Sequence, residues 1–287
     1  MGSTTGGIRM TSDIQYLLDP VLWARKQLGF TADPWQETFL RSSKNLHVLV
    51  SRQCGKTTVS AVKCLHRASF YPRSSVVLIS PTLRQSVLIA QKITDFINEM
   101  KPRPELTTDC TTIMQFKNGS RITSLPGGNS DTVRGFSCDL LIEDEAARVS
   151  EDAYVACKPF VATTGGQVIL CSTANGRQGH FYVIGIADDT EWQRLIVPAT
   201  ECPRIPAAFL AAEKLSMDSH TFGQEYCCEW GENEQALWGE DLIEAIFSEI
   251  DGIPVPAPVI EVNTASTTII TPPPSVRASS HFRSSKI

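Results

Sequence analysis

Gly55, Lys56 and Thr57 stand in a row inside LVSRQCGKTTV, residues 49–59, and a Gly-Lys-Thr run is suited to holding phosphate. A strand that ends in a tight turn and opens into a helix aims backbone N–H groups and the positive end of the helix dipole at one spot. Lys56 would neutralise β- and γ-phosphate charge there, and Thr57 would offer a hydroxyl to Mg2+. The usual pattern, G-x-x-x-x-G-K-[ST], asks for an earlier glycine where this chain has Val50. Arg52 lies inside the loop, within reach of a bound phosphate. The tripeptide alone reads equally well as an ordinary surface turn. The apolar NLHVLVS before it, residues 45–51, and the helical spacing of Val59, Val62 and Leu65 after it favour a phosphate loop.

Further along, LLIEDEAA, residues 140–147, is an apolar strand that ends in carboxylates. Such a strand delivers them to the carboxyl edge of a sheet, where α/β ligands bind. Asp144 is placed to hold a metal ion, and Glu145 to orient and deprotonate an attacking water. Alone, the segment would read as a solvated acidic turn; an upstream phosphate loop changes that. In CSTANGRQGHFY, residues 171–182, Ser172 and Thr173 end a strand with hydroxyls able to sense a γ-phosphate. Asn175 and Gly176 then permit a sharp exit, although a plain strand-to-helix turn fits the same residues. Arg134, in the SDTVRGFS loop, reads either as a guanidinium for a neighbouring subunit's site or as a solvated charge. The pair Trp35-Gln36 reads either as an adenine contact or as an aromatic core anchor beside a surface amide.

The elements that must position these groups follow from patterning. A helical lead-in covers the region before Asp33, strands fall at 45–51, 74–80, 139–143, 166–173 and 191–199, and helices follow the first three of them. Ile89, Ile93, Ile97 and Met100 make one helical stripe. TTIMQFKNGSRITSL reads as a hairpin with Asn118-Gly119 at a two-residue turn, both at positive φ. Ser150 is the expected N-cap of a helix with Glu151 and Asp152 in its first turn. Short helices are expected near 207–217 and 219–228. Strands alternating with helices predict an α/β fold with a mostly parallel sheet covered on both faces.

With 287 residues the chain can fill a large core, and a net charge of -5 excludes a generic polyanion binder, so any nucleic-acid contact must be a local patch. Arg84, Lys117 and Arg121 are cations for which a phosphate contact and a solvated face both remain open. No apolar run reaches the roughly 18 residues of a membrane span. Nine cysteines without a C-x-x-C pair fit neither a disulfide framework nor a zinc site, and suit reduced thiols in a cytosol. Beyond about Phe247 the sequence turns rich in Pro, Ser and Thr, as a flexible tail would.

Taken in order, VSRQCGKTT, DLLIEDEAA, CSTANGRQGHFY and FGQEYCCEW resemble the ATPase half of a tailed-phage terminase large subunit, the motor that drives genome DNA into a procapsid. The resemblance runs from about Asp33 to Phe247. Loops of that family commonly lack the first glycine and carry S-R-Q before the last, which makes Val50 a family variant. The family implies an additional-strand P-loop NTPase core over residues 33–200. It implies a helical linker subdomain over 201–247, after the lead-in of 1–32 and before the tail of 248–287. It implies ATP and Mg2+ as cofactors, with Ser51, Arg52, Gln53, Cys54, Gly55, Lys56, Thr57 and Thr58 as the loop and Gln36 near adenine. Asp144 and Thr57 would serve the metal, Glu145 the water, and Ser172, Thr173 and Asn175 the coupling segment, with Arg52 or Arg134 as the arginine of the reaction. Gln224, Glu225 and Tyr226 resemble the linker helix packed near the nucleotide. The implied partners are double-stranded DNA, a viral portal protein, a small terminase subunit and other copies of this chain in a ring, a pentamer on the portal, in the cytoplasm of a bacterial host and away from any membrane. Family members continue into an RNase H-like nuclease whose spaced acids are not seen here, so cleavage of DNA is not expected of this chain. A helicase-like or DNA-stimulated ATPase, and a non-hydrolysing prophage remnant, are the alternatives.

Overall fold

The computed structural model describes residues 13–128 and 130–231, which fall within one compact unit. The Pro/Ser/Thr-rich segment after Phe247 lies outside the described residues.

Helices α1 (Pro20–Gln27) and α2 (Pro34–Arg41) precede the sheet. Each starts with an Asp-Pro step. Asp19 caps α1 by accepting from the Val21 and Leu22 amides, and proline at the first helical position costs nothing because its missing N–H would be unpaired there. At α2, Asp33 and Gln36 form a capping box in which the Gln36 side chain accepts from the Asp33 amide at 2.9 Å.

The sheet then builds from β1 (Asn45–Val50), helix α3 (Lys56–Phe70), β2 (Ser75–Ser80), helix α4 (Leu83–Glu99), β3 (Leu106–Cys110), β4 (Ile113–Phe116), β5 (Arg121–Pro126) and β6 (Leu140–Asp144). Helix α5 (Glu151–Cys157), β7 (Gln167–Ser172), helix α6 (Gly179–Ile186), β8 (Trp192–Val197) and helices α7 (Ala207–Ser216) and α8 (Ser219–Tyr226) complete it. The strand order is β3-β4-β5-β2-β6-β7-β1-β8. From β5 to β8 every neighbouring pair is parallel, and only β3, β4 and β5 pair antiparallel. Strand β7 stands between β1 and β6, which defines the additional-strand type of P-loop NTPase sheet.

Strands β1, β2, β6 and β7 are buried along almost their whole length, as parallel strands covered on both faces must be. One face packs on α1 to α4 through residues such as Trp23, Phe39, Leu65 and Ile93. The other packs through Leu49, Leu141, Leu170, Phe160 and Phe181. No helix among the described residues is long and apolar enough to cross a membrane.

Two local expectations are corrected. The hairpin turn does not put Asn118 at positive φ; only Gly119 has it, at 85°. The Gly119 amide bonds the Phe116 carbonyl and the Phe116 amide bonds the Ser120 carbonyl, each at 2.9 Å, giving a three-residue loop with the glycine in the left-handed bulge. Asn118 is held by other means, donating to the Ala68 carbonyl at 2.8 Å and accepting from the Ser120 amide. The second correction is β3, an edge strand of sequence LTTDC that the apolar pattern did not mark because none of its residues is buried.

Candidate functional site

Strand β1 ends at Val50, which is fully buried and pairs with Val197 of β8. An extended, buried residue needs no glycine, so the missing first glycine of the loop leaves the backbone unstrained. Positive φ arises later, at Gln53 (63°) and Gly55 (85°). Gly55 is glycine for two reasons. Its φ is left-handed, and a Cβ there would stand 3.0 Å from Gln36 Nε2 and 3.2 Å from an Arg204 nitrogen. Between them, Cys54 is buried with its Sγ 3.0 Å from Ser51 Oγ, and burial pushes its thiol up to about 11. Its carbonyl accepts from Gln36 Nε2 at 3.2 Å and Arg204 Nη2 at 2.7 Å. A trans peptide sets N–H opposite C=O, so the Gly55 amide faces away from those two side chains.

Helix α3 begins at Lys56, and β6 delivers the carboxylates opposite it. Lys56 is buried, with Nζ 3.5 Å from Glu145 Oε1. Thr57 Oγ1 donates to Asp144 Oδ2 at 3.1 Å. Asp144 is only 4% exposed, and its Oδ1 has no hydrogen-bond partner. Burial, then the neighbouring Glu145, pushes its carboxyl up to about 6, although Lys56 and Thr57 pull the other way. An orphaned carboxylate oxygen beside a threonine hydroxyl is the donor pair a hard divalent cation takes, with phosphate and water completing its shell. Thr57 and Asp144 therefore fit Mg2+.

Glu145 has φ 57° and ψ 44°, a left-handed conformation that costs a non-glycine residue roughly 1–2 kcal/mol. The kink takes its side chain out of the strand's alternation and into the site, where Ser172 Oγ donates to Oε2 at 3.4 Å and Arg148 Nη1 lies 3.3 Å from the same oxygen. Arg148 also donates to Thr173 Oγ1 at 3.0 Å. Strain of this kind gathers where geometry is functionally constrained.

Lys56, Thr57, Glu145, Arg148 and Thr173 open onto a cavity of about 600 Å3, whose lining does not include the buried Asp144 and Ser172. Arg52, Lys56, Arg148 and Arg204 bring four cations to its wall against the carboxylate of Glu145, a charge balance that suits a polyphosphate. Gln53, Gly55, Thr57, Thr58 and Thr173 also line it. Arg52 is held by Glu225, with Nε 2.5 Å from its Oε2. Ser51, Cys54 and Gln36 lie behind the loop and brace it. Asn175 donates to the Ala147 carbonyl at 3.3 Å. Arg134 is exposed and outside the cavity lining, so within a single chain it is not brought to the other residues. Lys117 pairs with Glu105 at 2.6 Å, while Arg84 and Arg121 are exposed.

Arg148, Arg204 and Gln85 were not anticipated. Arg148 had a signal, since it lies three residues beyond Glu145. Arg204 had none: it reaches the loop from a turn after β8, pairing with Asp33 Oδ2 at 2.8 Å on the way.

Comparison with known proteins shows the family and the fold. The family model described as terminase large subunit, T4likevirus-type, N-terminal, matches residues 48–245. The ATPase domain of the large terminase of Thermus phage P74-26 is similar at a TM-score of 0.66 and 19% identity, covering 74% of this chain and 99% of that domain. The HK97 bacteriophage large terminase gives 0.63 at 14% identity, over 74% of this chain and 55% of that one. A large terminase from a thermophilic bacteriophage, solved in complex with ADP, gives 0.58 at 12% identity, over 76% and 53%. The chain thus spans about half the length of those two large terminases.

Proposed function

The chain belongs to the terminase large subunits of T4likevirus type, by their N-terminal region, and from that premise we propose that it hydrolyses ATP to move double-stranded DNA into a viral procapsid. The observation that carries this reading is the meeting of Lys56 and Thr57, from the loop after β1, with Asp144 and Glu145 at the end of β6. Phosphoryl transfer asks for little covalent chemistry from a protein and much positioning of charge.

In this reading Lys56 and the amides around Gly55 hold the β- and γ-phosphates, and Arg52, Arg148 and Arg204 add positive charge at the cavity wall. Thr57 and Asp144 hold Mg2+, which neutralises charge on the phosphate oxygens when bound. Glu145 accepts a hydrogen bond from the attacking water and takes its proton. Gln36, expected near adenine, is instead fully buried behind the loop with both ends of its amide bonded to Asp33 and Cys54, so its part is to brace the loop. Ser172, Thr173 and Asn175 register the γ-phosphate through Glu145 and Arg148.

Two contacts carry that state toward α8. Gln224 Nε2 donates to the Ala174 carbonyl at 3.1 Å, and the Arg52 amide donates to the Glu225 carbonyl at 3.1 Å. Residues 201–247 would thus act as the linker, and Arg134 would serve the site of a neighbouring copy in a ring on the portal, with the small subunit delivering DNA. The test is steady-state ATP turnover with Mg2+ by the full chain against Glu145→Gln. Wild type should turn over ATP, and the variant should bind a fluorescent ADP analogue but lose at least a hundredfold in kcat. Equal rates would refute the assignment.

A further inference from the structure

We propose that His180 is a positioning residue, which fixes the far end of the phosphate-sensing loop to the strand that carries Asp144 and Glu145. The proposal rests on the ATPase reading above. Successive side chains of a strand point to opposite faces, so Glu143 of β6 points away from the face of Asp144. Glu143 is fully buried, and a buried carboxylate is tolerated only with a donor. The donor is His180, from the first turn of α6, whose Nε2 meets Glu143 Oε2 at 2.9 Å; Oε1 has no partner. The ring is fixed from two more sides. Its Nδ1 lies 3.3 Å from Glu151 Oε2, the oxygen that also accepts the His180 amide at 3.0 Å. Tyr154 stacks flat on the imidazole, with centroids 4.0 Å apart and planes 3° from parallel.

The consequence lies in the connectivity. Segment 172–180 leaves β7 where Cys171 pairs with Asp144, contacts Glu145 through Ser172 at 3.4 Å, and reaches α6. His180 then returns it to Glu143, two residues before Glu145. The loop is therefore tethered at each end to residues 143–145 at the end of β6, one tether on the phosphate side and one on the opposite face. Helix α6 is itself a firm anchor. His47 of β1 donates to the Phe181 carbonyl at 2.9 Å, and the Arg194 guanidinium of β8 caps the Ile184 and Gly185 carbonyls at 3.0 and 3.1 Å. None of these contacts touches the phosphate loop. Cutting the Glu143 tether should therefore misplace Glu145 and Ser172 while leaving nucleotide binding intact, and a shift of about 1 Å at a reacting group can cost roughly a hundredfold.

Glutamine and asparagine divide the ring's two nitrogens. His180→Gln keeps a donor near the place of Nε2, within reach of Glu143, whereas His180→Asn keeps one only near Nδ1. In the full chain, His180→Asn should lose roughly ten- to a hundredfold in kcat, with binding of the fluorescent ADP analogue within about threefold of wild type. His180→Gln should stay within about threefold in both. The proposal is overturned by His180→Asn turning over ATP like wild type, by its losing kcat and binding together, or by equal impairment of the two variants. If His180→Asn does not fold by circular dichroism, Glu143→Ser cuts the same bond from the strand side and takes its place with the same expected split. A wild-type chain that binds the analogue but never turns over ATP overturns the ATPase reading and this proposal together; an active wild type matched by His180→Asn overturns only the latter.

Discussion

Asp144→Asn should make the nucleotide-free protein more stable while removing its response to Mg2+ and ATP. The carboxyl of Asp144 is raised from 3.8 to about 6, chiefly because burial penalises its charge. Each pKa unit is worth about 1.4 kcal/mol, so the ionised side chain costs the fold about 3 kcal/mol at pH 8. A neutral asparagine avoids that cost, keeps an oxygen for Thr57, and gives back roughly 1 kcal/mol for burying unpaired N–H donors. The net gain of about 2 kcal/mol corresponds to a melting temperature higher by about 4–8 °C. The sign with pH follows from proton counts. Between pH 3.8 and 6 the folded wild type holds a proton that the unfolded chain has lost, so wild-type stability falls as pH rises through that window and is level above it. By pH 5 the charge cost should shrink to about half, and the variant's advantage, after the same ~1 kcal/mol is subtracted, to about a third of its value at pH 8. Melting followed by dye fluorescence at pH 5 and pH 8, with and without Mg2+ and ATP, reads all of this. A variant no more stable than wild type at pH 8, or one whose advantage is the same at both pH values, would refute the electrostatic account of the site.

His47 and His66 act in the opposite direction: burial lowers each from 6.5 to about 4, so the stability they contribute is complete above pH 6.5 and lost as pH falls toward 4, up to about 3 kcal/mol each. Urea unfolding at pH 7 and pH 4.5 should show the loss, and His66→Gln should reduce it. Gly166→Ala should destabilise by roughly 1–3 kcal/mol, because a Cβ there would stand 2.7 Å from the Cys138 carbonyl oxygen and 2.8 Å from that of Asp139, neither of which can move without breaking the β6–β7 contact; a melting temperature equal to wild type would contradict it. For Arg134, each of Arg134→Ala and Glu145→Gln should be inactive alone, and mixing the two chains should restore part of the ATP turnover, as an arginine acting between copies requires. Mixtures no more active than their parts would assign Arg134 no such role.

Several features were readable from local chemistry because the sequence carries their cause locally. The Ser150 cap is one: its hydroxyl accepts from the Ala153 amide at 3.3 Å, as a serine before two acidic residues promises. The turn between β1 and α3 is another, since Gly55, Lys56 and Thr57 stand within one turn at the start of the helix. Edge strand β3 escaped because no buried face imposes an alternation on it, and α6 escaped because GHFYVIGI is apolar on every side and begins with glycine. The Asn118-Gly119 dipeptide announced a turn but not its type, which the side-chain bonds of Asn118 to the end of α3 helped to select.

By itself the sequence determined which residues can bear phosphate chemistry, the alternation of strands and helices that holds them, and their order along the chain. Types, caps and periods are local properties, and a linear string records them. Only the tertiary structure decided that β7 inserts between β1 and β6, that Arg204 reaches back 150 residues to the Cys54 carbonyl, and that Glu143 turns from Asp144 to meet His180. Those outcomes depend on strand order and on which face each side chain is given. Both are set when the whole core is buried at once.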